Sequence, residues 1–329
     1  AATPTVAAGR TPAGRTRRPR VVVTSTFGVY PPRGGGQNRL YYLYRALASE
    51  WDVEIVSVAR SGEPAYRGEI APGVFETRIP KTRRHAEAET ALEARIGQPV
   101  TDVAMPRLIA LTPDYEAALR AAVAGARWIV ASHPYLLPAI EAVRGSVPLV
   151  YEAHNVEVDL KERALAGSRA GRDLLGLTRA VEGAACREAT LITACSRADA
   201  DRLDALYGDV AGKAAIVPNG VDLASVPFVP ASERAARKQA CGLGDGLLAL
   251  FMGAWHPPNL EAAEHLLGYA RELPDVTFLL VGSVCSALEG RSLPGNVAPA
   301  GVVDDAFKAF LLSCADVALN PMVSGRGRT

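Results

Sequence analysis

Two histidines stand directly after apolar runs, where an imidazole could carry out acid–base chemistry or bind a polar ligand. His154 lies within Glu152–Asn155, whose sequence is Glu-Ala-His-Asn, and His133 follows the run Trp128–Ala131. An imidazole changes protonation near neutral pH and can both donate and accept hydrogen bonds. Position alone makes the two residues equal candidates. The alternative for each is a structural role, as a loop histidine whose hydrogen bonds are made within the fold.

A run of three glycines, Gly34, Gly35 and Gly36, opens a helical pattern after the first apolar run. Glycine lets a backbone approach a phosphate closely, and the N–H groups of a helix N-terminus favour an anion. The spacing is not G-x-G-x-x-G, and Phe27–Arg33 separates the glycines from the apolar run, so a dinucleotide fingerprint is a poor match. The glycines predict contact with a phosphate or a sugar, or else a flexible surface loop.

A second glycine-containing loop follows a later apolar run. Gly253 permits close approach of a ligand, and Trp255 and His256 come directly after it as candidate contacts. Asn259 is predicted to N-cap the helix that follows, which is the alternative to a role in binding.

Two further loops carry weaker signals. Asn219 and Gly220 predict a structural turn where the chain changes domain, because Asn-Gly adopts positive φ at little cost. Ser324 and Gly325 lie in a loop whose residue types suit phosphate contact, although fraying is the alternative so close to the end of the sequence.

The elements that must position these residues alternate between strand and helix. Apolar runs predict strands at 21–24, 53–58, 128–130, 147–151, 191–194, 215–217, 247–252, 276–281, 297–300 and 316–319. Helical patterns cover most of 82–126, then 157–188, 259–272 and 304–312, and another begins at Ser196. Such runs between helices imply parallel strands covered on both faces.

The predicted fold class is therefore α/β, with two doubly wound, Rossmann-like domains that face a cleft, the second one incomplete. We expect a disordered basic tail over 1–19, a first domain over 20–222, a linker and connecting helix over 223–245, and a partial second domain over 246–329. Ligands of open α/β sheets bind at the carboxyl ends of the strands, and several candidate residues lie there in the sequence.

Composition excludes several classes of protein. Hydrophobic residues make up 49% of the chain, which excludes general disorder, and no apolar run reaches the length of a membrane span. Five of the 36 basic residues lie in the first 20 positions, leaving 31 against 35 acidic residues, which argues against a nucleic-acid partner. The five cysteines are scattered without a C-x-x-C, so neither a disulfide framework nor a zinc site is expected.

Together these motifs resemble family-4 retaining glycosyltransferases of the GT-B fold. The resemblance rests on order and spacing over about residues 20–325. It is carried by the glycine run with Asn38–Leu47, by Glu152–Glu157, Val217–Asp222, Phe251–Asn259 and Val281–Gly282, and by Leu319–Met322.

The resemblance implies roles for the candidate residues. In this family the N-terminal half binds the acceptor and the C-terminal half binds a nucleotide-sugar. His154 matches the active-site histidine, which contacts the transferred sugar, and this distinguishes it from His133. The expected donor contacts are Gly34, Gly35, Gly36, Gly253, Trp255, His256, Asn259, Ser324 and Gly325, and the expected acceptor-side residues are Glu152, Asn155 and His133.

Two departures from the family pattern stand out. The loop Trp255–Pro258 has no Arg or Lys, where many members place cations that neutralise the diphosphate. The sequence also ends at Thr329, before the family's Glu-x7-Glu segment, so we expect a chain truncated in its second half by fragmentation, frameshift or an early stop.

The expected function is transfer of a sugar, with retention, from a nucleotide-diphosphate donor to a hydroxyl of a glycan, a lipid-linked acceptor or a small molecule. No cofactor and no metal are expected. The alternative is a non-catalytic remnant or pseudoenzyme that binds acceptor or partner only, while the missing G-x-G-x-x-G disfavours a nicotinamide-dependent oxidoreductase. The expected location is the cytoplasm. Lys81, Arg83 and Arg84 suggest peripheral contact with the inner face of the membrane, or else a solvated helix face.

Overall fold

The computed structural model describes residues 18–223, 228–240 and 242–321, and the structural statements below concern these residues. The chain divides into two compact units, and the division lies between Pro218 and Asn219. None of the helices within the described ranges has both the length and the apolar character needed to span a membrane.

The first unit is built around an eight-stranded sheet. Its strands are β1 (Arg20–Ser25), β2 (Asp52–Ala59), β3 (Tyr66–Ala71), β4 (Val74–Pro80), β5 (Trp128–Ser132), β6 (Leu149–Ala153), β7 (Leu191–Ala194) and β8 (Ala214–Ile216). Its helices are α1 (Gly35–Leu47), α2 (Arg83–Ile96), α3 (Thr101–Leu108), α4 (Pro113–Val123), α5 (Leu137–Val143), α6 (Glu157–Leu165), α7 (Arg169–Glu188) and α8 (Arg197–Tyr207). The strand order is β3-β4-β2-β1-β5-β6-β7-β8.

The sheet is covered on both faces, which explains why its central strands are apolar throughout. In β1, Val21 and Val23 pack into the cluster that contains Leu40 and Tyr44 of α1. Val22 points the other way, into the larger cluster formed with helices of the opposite face. A strand buried on both sides has no polar face, and the run of three valines follows from that.

One part of the sheet departs from the expected parallel arrangement. Residues 66–80 carry no apolar run that predicts a strand, yet they form β3 and β4, which pair antiparallel while β4 pairs parallel to β2. β3 is an edge strand, and its first four residues are exposed or half-buried. An edge strand with one solvated side needs few apolar residues, so its pattern is weak.

The helix predicted over 157–188 is two helices. Ser168 adopts an extended conformation, and its hydroxyl accepts a hydrogen bond from the backbone N–H of Gly171. This N-cap starts α7 as a new helix after α6 has ended at Leu165.

The second unit contains α9 (Ala231–Ala240), β9 (Leu247–Met252), α10 (Pro257–Glu272), β10 (Val276–Val281), β11 (Val297–Gly301), α11 (Asp305–Cys314) and β12 (Val317–Leu319). Its four strands pair in parallel in the order β11-β10-β9-β12. Leu266 of α10 packs on one face of this sheet and Leu311 of α11 on the other. Each unit is therefore doubly wound, as predicted.

The predicted N-cap of α10 is wrong. The helix begins at Pro257, and the capping position is held by His256, whose backbone is extended. Proline suits the first helical position because it lacks the N–H that would be unsatisfied there. Asn259 lies two residues further on, and its side-chain amide donates to the carbonyl of Ala254 at 2.9 Å.

Candidate functional site

Neighbouring strands bring the two candidate histidines together in the first unit. β5 and β6 are adjacent and parallel, with Ser132 paired to Glu152, so the residues that follow them emerge at the same edge of the sheet. The rings of His133 and His154 lie there with centroids 4.0 Å apart and planes inclined by 46°. The sequence expectation that both residues mark strand ends is met, and the structure adds that they are in contact.

His154 is buried and held through one ring nitrogen. Its Nε2 lies 3.1 Å from the hydroxyl of Ser132, within hydrogen-bond distance. The same nitrogen lies 3.6 Å from Oε1 of Glu152. Both neighbours belong to the strands that end at this edge, so the imidazole is oriented by the rigid part of the sheet.

Glu152 is 1% exposed and has partners on both oxygens. Nε of Arg39 donates to Oε1 at 3.1 Å, and the hydroxyl of Tyr44 donates to Oε2 at 3.0 Å. Burial would raise the pKa of this carboxyl group, but His154, Arg39 and Tyr44 outweigh burial and lower the pKa to about 2. Glu152 is therefore ionised at neutral pH.

The sequence analysis does not predict Arg39 and Tyr44 as site residues, although both lie on α1, which begins within the glycine run. Both are buried, on the face of α1 that also carries Leu40. An arginine on the buried face of a helix requires a partner, because an unpaired charge is costly away from water. That requirement is the signal that could have identified Arg39 from sequence.

His133 has a constrained environment. Its backbone has φ of +66°, a region that residues with a side chain seldom adopt. Burial, together with the nearby His154, lowers the pKa of His133 to about 4. Its Nε2 lies 3.9 Å from Oε1 of Glu157, and its Nδ1 is buried without a hydrogen-bond partner among the described residues. The two histidines therefore share the site as a pair in which His133 is neutral at pH 7.

The loop after β6 is tied to the helix that follows. The side-chain amide of Asn155 lies 3.4 Å from Oε1 of Glu157, and the hydroxyl of Tyr135 donates to Oε2 of the same carboxyl group at 2.6 Å. Asn155 therefore contacts the first residue of α6.

Glu182 of α7 binds the N-terminal backbone of α6. Its carboxyl group accepts hydrogen bonds from the backbone N–H groups of Glu157, at 2.6 Å, and of Val158, at 3.2 Å. Burial raises the pKa of Glu182 to about 7, against the lowering effect of hydrogen bonds from Tyr207 and the helix backbone. Sequence analysis missed this residue, since a buried glutamate within a long helix has no periodic signature.

The three glycines of the first unit differ in their surroundings. Gly34 is the N-cap residue of α1, and Gly35 and Gly36 are its first two residues. A Cβ on Gly36 would come 2.9 Å from the ring of Phe27, whereas a Cβ on Gly35 would meet nothing within 4 Å. The N–H groups of a first helical turn have no acceptor within the helix. Gly35 thus leaves an open approach to this helix end, and Gly36 accommodates Phe27.

The ring of Phe27 connects this helix end to the histidine pair. It packs against Gly36, and it also lies edge-on to His133, with ring centroids 6.0 Å apart. The glycine run and the histidines therefore belong to one continuous surface of the first unit.

Glu76 of β4 anchors the loop between β1 and α1. Its Oε1 accepts from the backbone N–H of Val29 at 2.7 Å and from the hydroxyl of Ser57 at 2.8 Å. Its Oε2 accepts from the N–H of Tyr30 at 3.2 Å and from Arg78 at 2.7 Å. A fully buried carboxylate thus holds the segment that leads to the glycine run.

The glycine-containing loop of the second unit is formed by close approach of two strand ends. A Cβ on Gly282 would lie 2.3 Å from the carbonyl oxygen of Gly253, and Gly282 has φ of +103°. Trp255 is 59% exposed, and its backbone N–H donates to the hydroxyl of Ser283 at 2.7 Å. His256 is exposed as well. These side chains are available to a ligand.

The remaining predicted residues contribute less. Asn219 and Gly220 lie outside any helix or strand, and neither has positive φ, so the tight turn that Asn-Gly predicts is not formed. Ser324 and Gly325 lie outside the described residues. Within the described part of the chain, no group of three or more His, Cys, Asp or Glu side chains is placed to hold a metal ion, and metal independence stays a prediction.

Comparison with protein-family models decides the family. The model of Glycosyltransferase Family 4 matches residues 33–225, which include the glycine run, both histidines and the buried glutamates. The chain belongs to Glycosyltransferase Family 4. It is therefore a transferase, as the sequence resemblance implied. No curated protein matches the chain in a sequence search.

Solved structures show the fold of this glycosyltransferase. Sucrose-phosphate synthase from Thermosynechococcus elongatus is 19% identical with a TM-score of 0.70, and the match covers 94% of this chain and 77% of that one. The catalytic domain of starch synthase IV from Arabidopsis thaliana, bound to ADP and acarbose, is 13% identical with a TM-score of 0.60, covering 94% and 79%. HepE of Anabaena, in complex with UDP and glucose, is 17% identical with a TM-score of 0.57, covering 93% and 75%. The predicted α/β fold of GT-B type is confirmed.

Proposed function

We propose that this glycosyltransferase moves a sugar from a nucleotide-diphosphate donor to a hydroxyl group of an acceptor, with retention at the anomeric carbon. The observation that carries the proposal is the histidine site of the first unit. His154 lies at the carboxyl end of β6, fixed by Ser132 and Glu152, within the segment that matches the family model. This edge of the sheet is where α/β folds bind ligands.

The donor class is proposed from two lines of support. The structure of HepE contains UDP and glucose, and that of starch synthase IV contains ADP, so proteins of this fold accept nucleoside diphosphates. In this chain, the open helix end at Gly35 offers N–H groups to an anion. In the first unit we assign donor contacts to Gly34, Gly35 and Gly36. In the second unit, taken by itself, the exposed Trp255 and His256 are the candidates for donor contact.

The proposed transfer requires these residues to stabilise the leaving group and to orient the sugar. Negative charge develops on the leaving diphosphate, and oriented N–H groups stabilise it without reorganisation at the moment of reaction. The transferred sugar must be held in one orientation while its anomeric carbon becomes electron-deficient. We propose that His154 contacts this sugar, because its ring is fixed on one side by the sheet.

The first test combines donor binding with transfer. Binding of UDP, ADP and GDP is measured by calorimetry, and transfer is then measured with the sugar forms of the nucleotide that binds, using water and a panel of glycans, polyprenyl phosphates and small alcohols as acceptors. We expect one nucleotide to bind preferentially, and NMR of the product to show the anomeric configuration of the donor.

Replacing His154 is the second test. His154→Ala should lower turnover by about tenfold or more, because losing a hydrogen bond to the transferred sugar costs about 1.5 kcal/mol. His265→Ala is the matched control, since His265 is an exposed histidine on α10 with no assigned role. Turnover equal to that of the wild type in His154→Ala would overturn the role of this residue. Absence of nucleotide binding by the wild-type chain would instead favour the non-catalytic alternative.

The acceptor class stays a proposal. Peripheral membrane contact and a cytoplasmic location are proposed with it. Lys81 is buried in an ion pair with Glu89, so it is not available to a membrane. Arg83 is exposed and pairs with Glu87 on its own helix. Sedimentation with anionic liposomes tests the contact, and no binding at low salt would exclude it.

A further inference from the structure

We infer that Glu152 is a positioning residue that, together with Ser132, holds the imidazole of His154 in the tautomer with its proton on Nε2, so that Nδ1 presents a lone pair to a substrate hydroxyl. The family resemblance instead implies that Glu152 contacts the acceptor. The inference rests on the proposed function for the identity of the substrate, a sugar, but the tautomer itself is a property of the protein alone.

The environment of Nε2 favours a proton there. Ser132 can either donate to this nitrogen or accept from it across 3.1 Å, because a hydroxyl group does both. The carboxylate of Glu152 can only accept, and its Oε1 lies 3.6 Å from Nε2. A lone pair on Nε2 would face a negative charge, whereas an N–H is attracted to it. The charge of Glu152 therefore selects the N–H, and Ser132 accepts the hydrogen bond.

Glu152 is itself too enclosed to reach a substrate. Only 1% of its surface is exposed, and the side chains of Arg39 and Tyr44 occupy its two oxygens. Both partners come from α1, the helix that begins at the glycine run. The position of this helix is thereby linked to the orientation of His154.

Within the described part of the chain, the charged groups in contact with the two rings do not reverse this preference. His133 lies against the ring of His154, but its Nε2 faces Glu157, 3.9 Å away. Each histidine therefore has its own carboxyl group. Arg39 is the cation of the cluster, and its Nε hydrogen bond is made to Glu152.

The consequence lies at Nδ1 of His154. A neutral imidazole has one donor nitrogen and one acceptor nitrogen, so a proton on Nε2 makes Nδ1 an acceptor. Among the described residues Nδ1 has no hydrogen-bond partner, while Nε2 lies within hydrogen-bond distance of Ser132. A sugar hydroxyl would donate to Nδ1 and keep its own lone pairs for other contacts. The opposite tautomer would present an N–H and reject that geometry.

The experiment reads the tautomer directly. The full chain is labelled with ¹⁵N-histidine, and two-bond ¹H–¹⁵N correlation spectra are recorded without substrate, well above the ordinary imidazole pKa. The chain has five histidines, and the signals of His154 are those lost in His154→Gln. We expect Nε2 at the shift of a protonated nitrogen and Nδ1 at that of an unprotonated one. A protonated Nδ1 in the wild type would overturn the inference.

Two variants test the cause. Glu152→Gln removes the charge with little change in shape, and Ser132→Ala removes the hydrogen-bond partner while leaving the charge in place. We expect the shifts of both nitrogens in Glu152→Gln to move towards each other, as the two tautomers mix, and kcat to fall at least tenfold. The exposed His256 should keep its spectrum and serves as the internal reference. An unchanged tautomer in both variants would show that neither residue selects it.

The outcomes separate this inference from the proposed function. A wild-type chain that shows the Nε2–H tautomer but transfers no sugar would refute the proposed function and leave the role of Glu152 standing. A chain that transfers sugar with Nδ1 protonated would do the reverse. If Glu152→Gln fails to fold because the ion pair with Arg39 is lost, the wild-type spectrum and Ser132→Ala still decide the question.

Discussion

Glu76→Gln should destabilise the first unit by about 2–4 kcal/mol, although the two side chains have nearly the same shape. The carboxylate of Glu76 is fully buried and accepts four hydrogen bonds, two on each oxygen. An amide has one acceptor oxygen and one NH₂ group, so two of the four donors must face the NH₂. The cost depends on which two they are.

The structure identifies the less costly orientation. With the NH₂ group in place of Oε2, both the N–H of Tyr30 and the Arg78 guanidinium would face a donor, and neither can accept. With the NH₂ group in place of Oε1, Ser57 can rotate its hydroxyl and accept, and only the N–H of Val29 is orphaned. One buried N–H without an acceptor costs about 1–3 kcal/mol. Replacing the carboxylate acceptor of Arg78 by a neutral amide oxygen costs about 1 kcal/mol more.

The assay must report on one unit of a two-unit chain. Trp51 and Trp128 belong to the first unit, and Trp255, the third tryptophan, belongs to the second. In a Trp255→Phe background, tryptophan fluorescence during urea denaturation therefore follows the first unit alone. Hydrogen exchange of the peptide containing Val29 and Tyr30 should also accelerate in Glu76→Gln.

The matched control is Glu116→Gln, which removes an exposed i,i+4 pair with Arg120 worth about 0.3–0.5 kcal/mol. A Glu76→Gln chain within about 0.5 kcal/mol of the wild type would refute the reasoning. It would mean that the loop after β1 finds other partners, and that Glu76 does not fix the approach to the glycine run.

Two further predictions concern stability. Gly282→Ala should destabilise the second unit by about 3 kcal/mol or more, because the new Cβ would lie 2.3 Å from the carbonyl oxygen of Gly253 and φ is +103°. The control is Gly268→Ala on α10, where a Cβ meets nothing within 4 Å. Calorimetry should show this control to be neutral or stabilising. Burial, aided by Lys81, lowers the pKa of His85 to about 4, so the unfolded chain binds the proton more readily. The contribution of His85 to the free energy of unfolding should therefore fall by about 3 kcal/mol as pH drops from 6.5 to 4. In urea denaturation across that range, the wild type should lose this amount relative to His85→Gln. An equal slope in both proteins would contradict the prediction.

The sequence predicted the strands that are buried on both faces and also the edge strands β8, β11 and β12, but it missed β3 and β4. The runs at 21–24 and 247–252 are apolar because helices cover both sides of the sheet, and that environment leaves a continuous signal. β3 at the sheet edge and β4 beside it left no such signal, because their exposed positions accept polar residues. The break between α6 and α7 depended on a single side chain, Ser168, inside an otherwise helical pattern.

The sequence predicted which residues lie at this edge of the sheet, but not the side chains that orient them. His154 and the glycine run could be found because residues after strands meet at one edge of a parallel sheet. The contacts that orient them come from residues distant in sequence, such as Arg39, which reaches Glu152 from α1. A single buried polar residue carries no periodicity, so only the fold reveals its partner.

Buried carboxyl groups hold the segments of this edge in place. Glu76 accepts from the backbone of the loop after β1, Glu182 accepts from the first turn of α6, and Glu152 faces His154 at the end of β6. Moving each such group out of water costs several kcal/mol. Hydrogen bonds offset this cost only if their donors are already aligned. The loops therefore cannot move freely without exposing an unpaired buried acceptor. A site whose dipoles are fixed in this way is suited to stabilise charge that develops during a reaction, as the proposed transfer from a diphosphate would require.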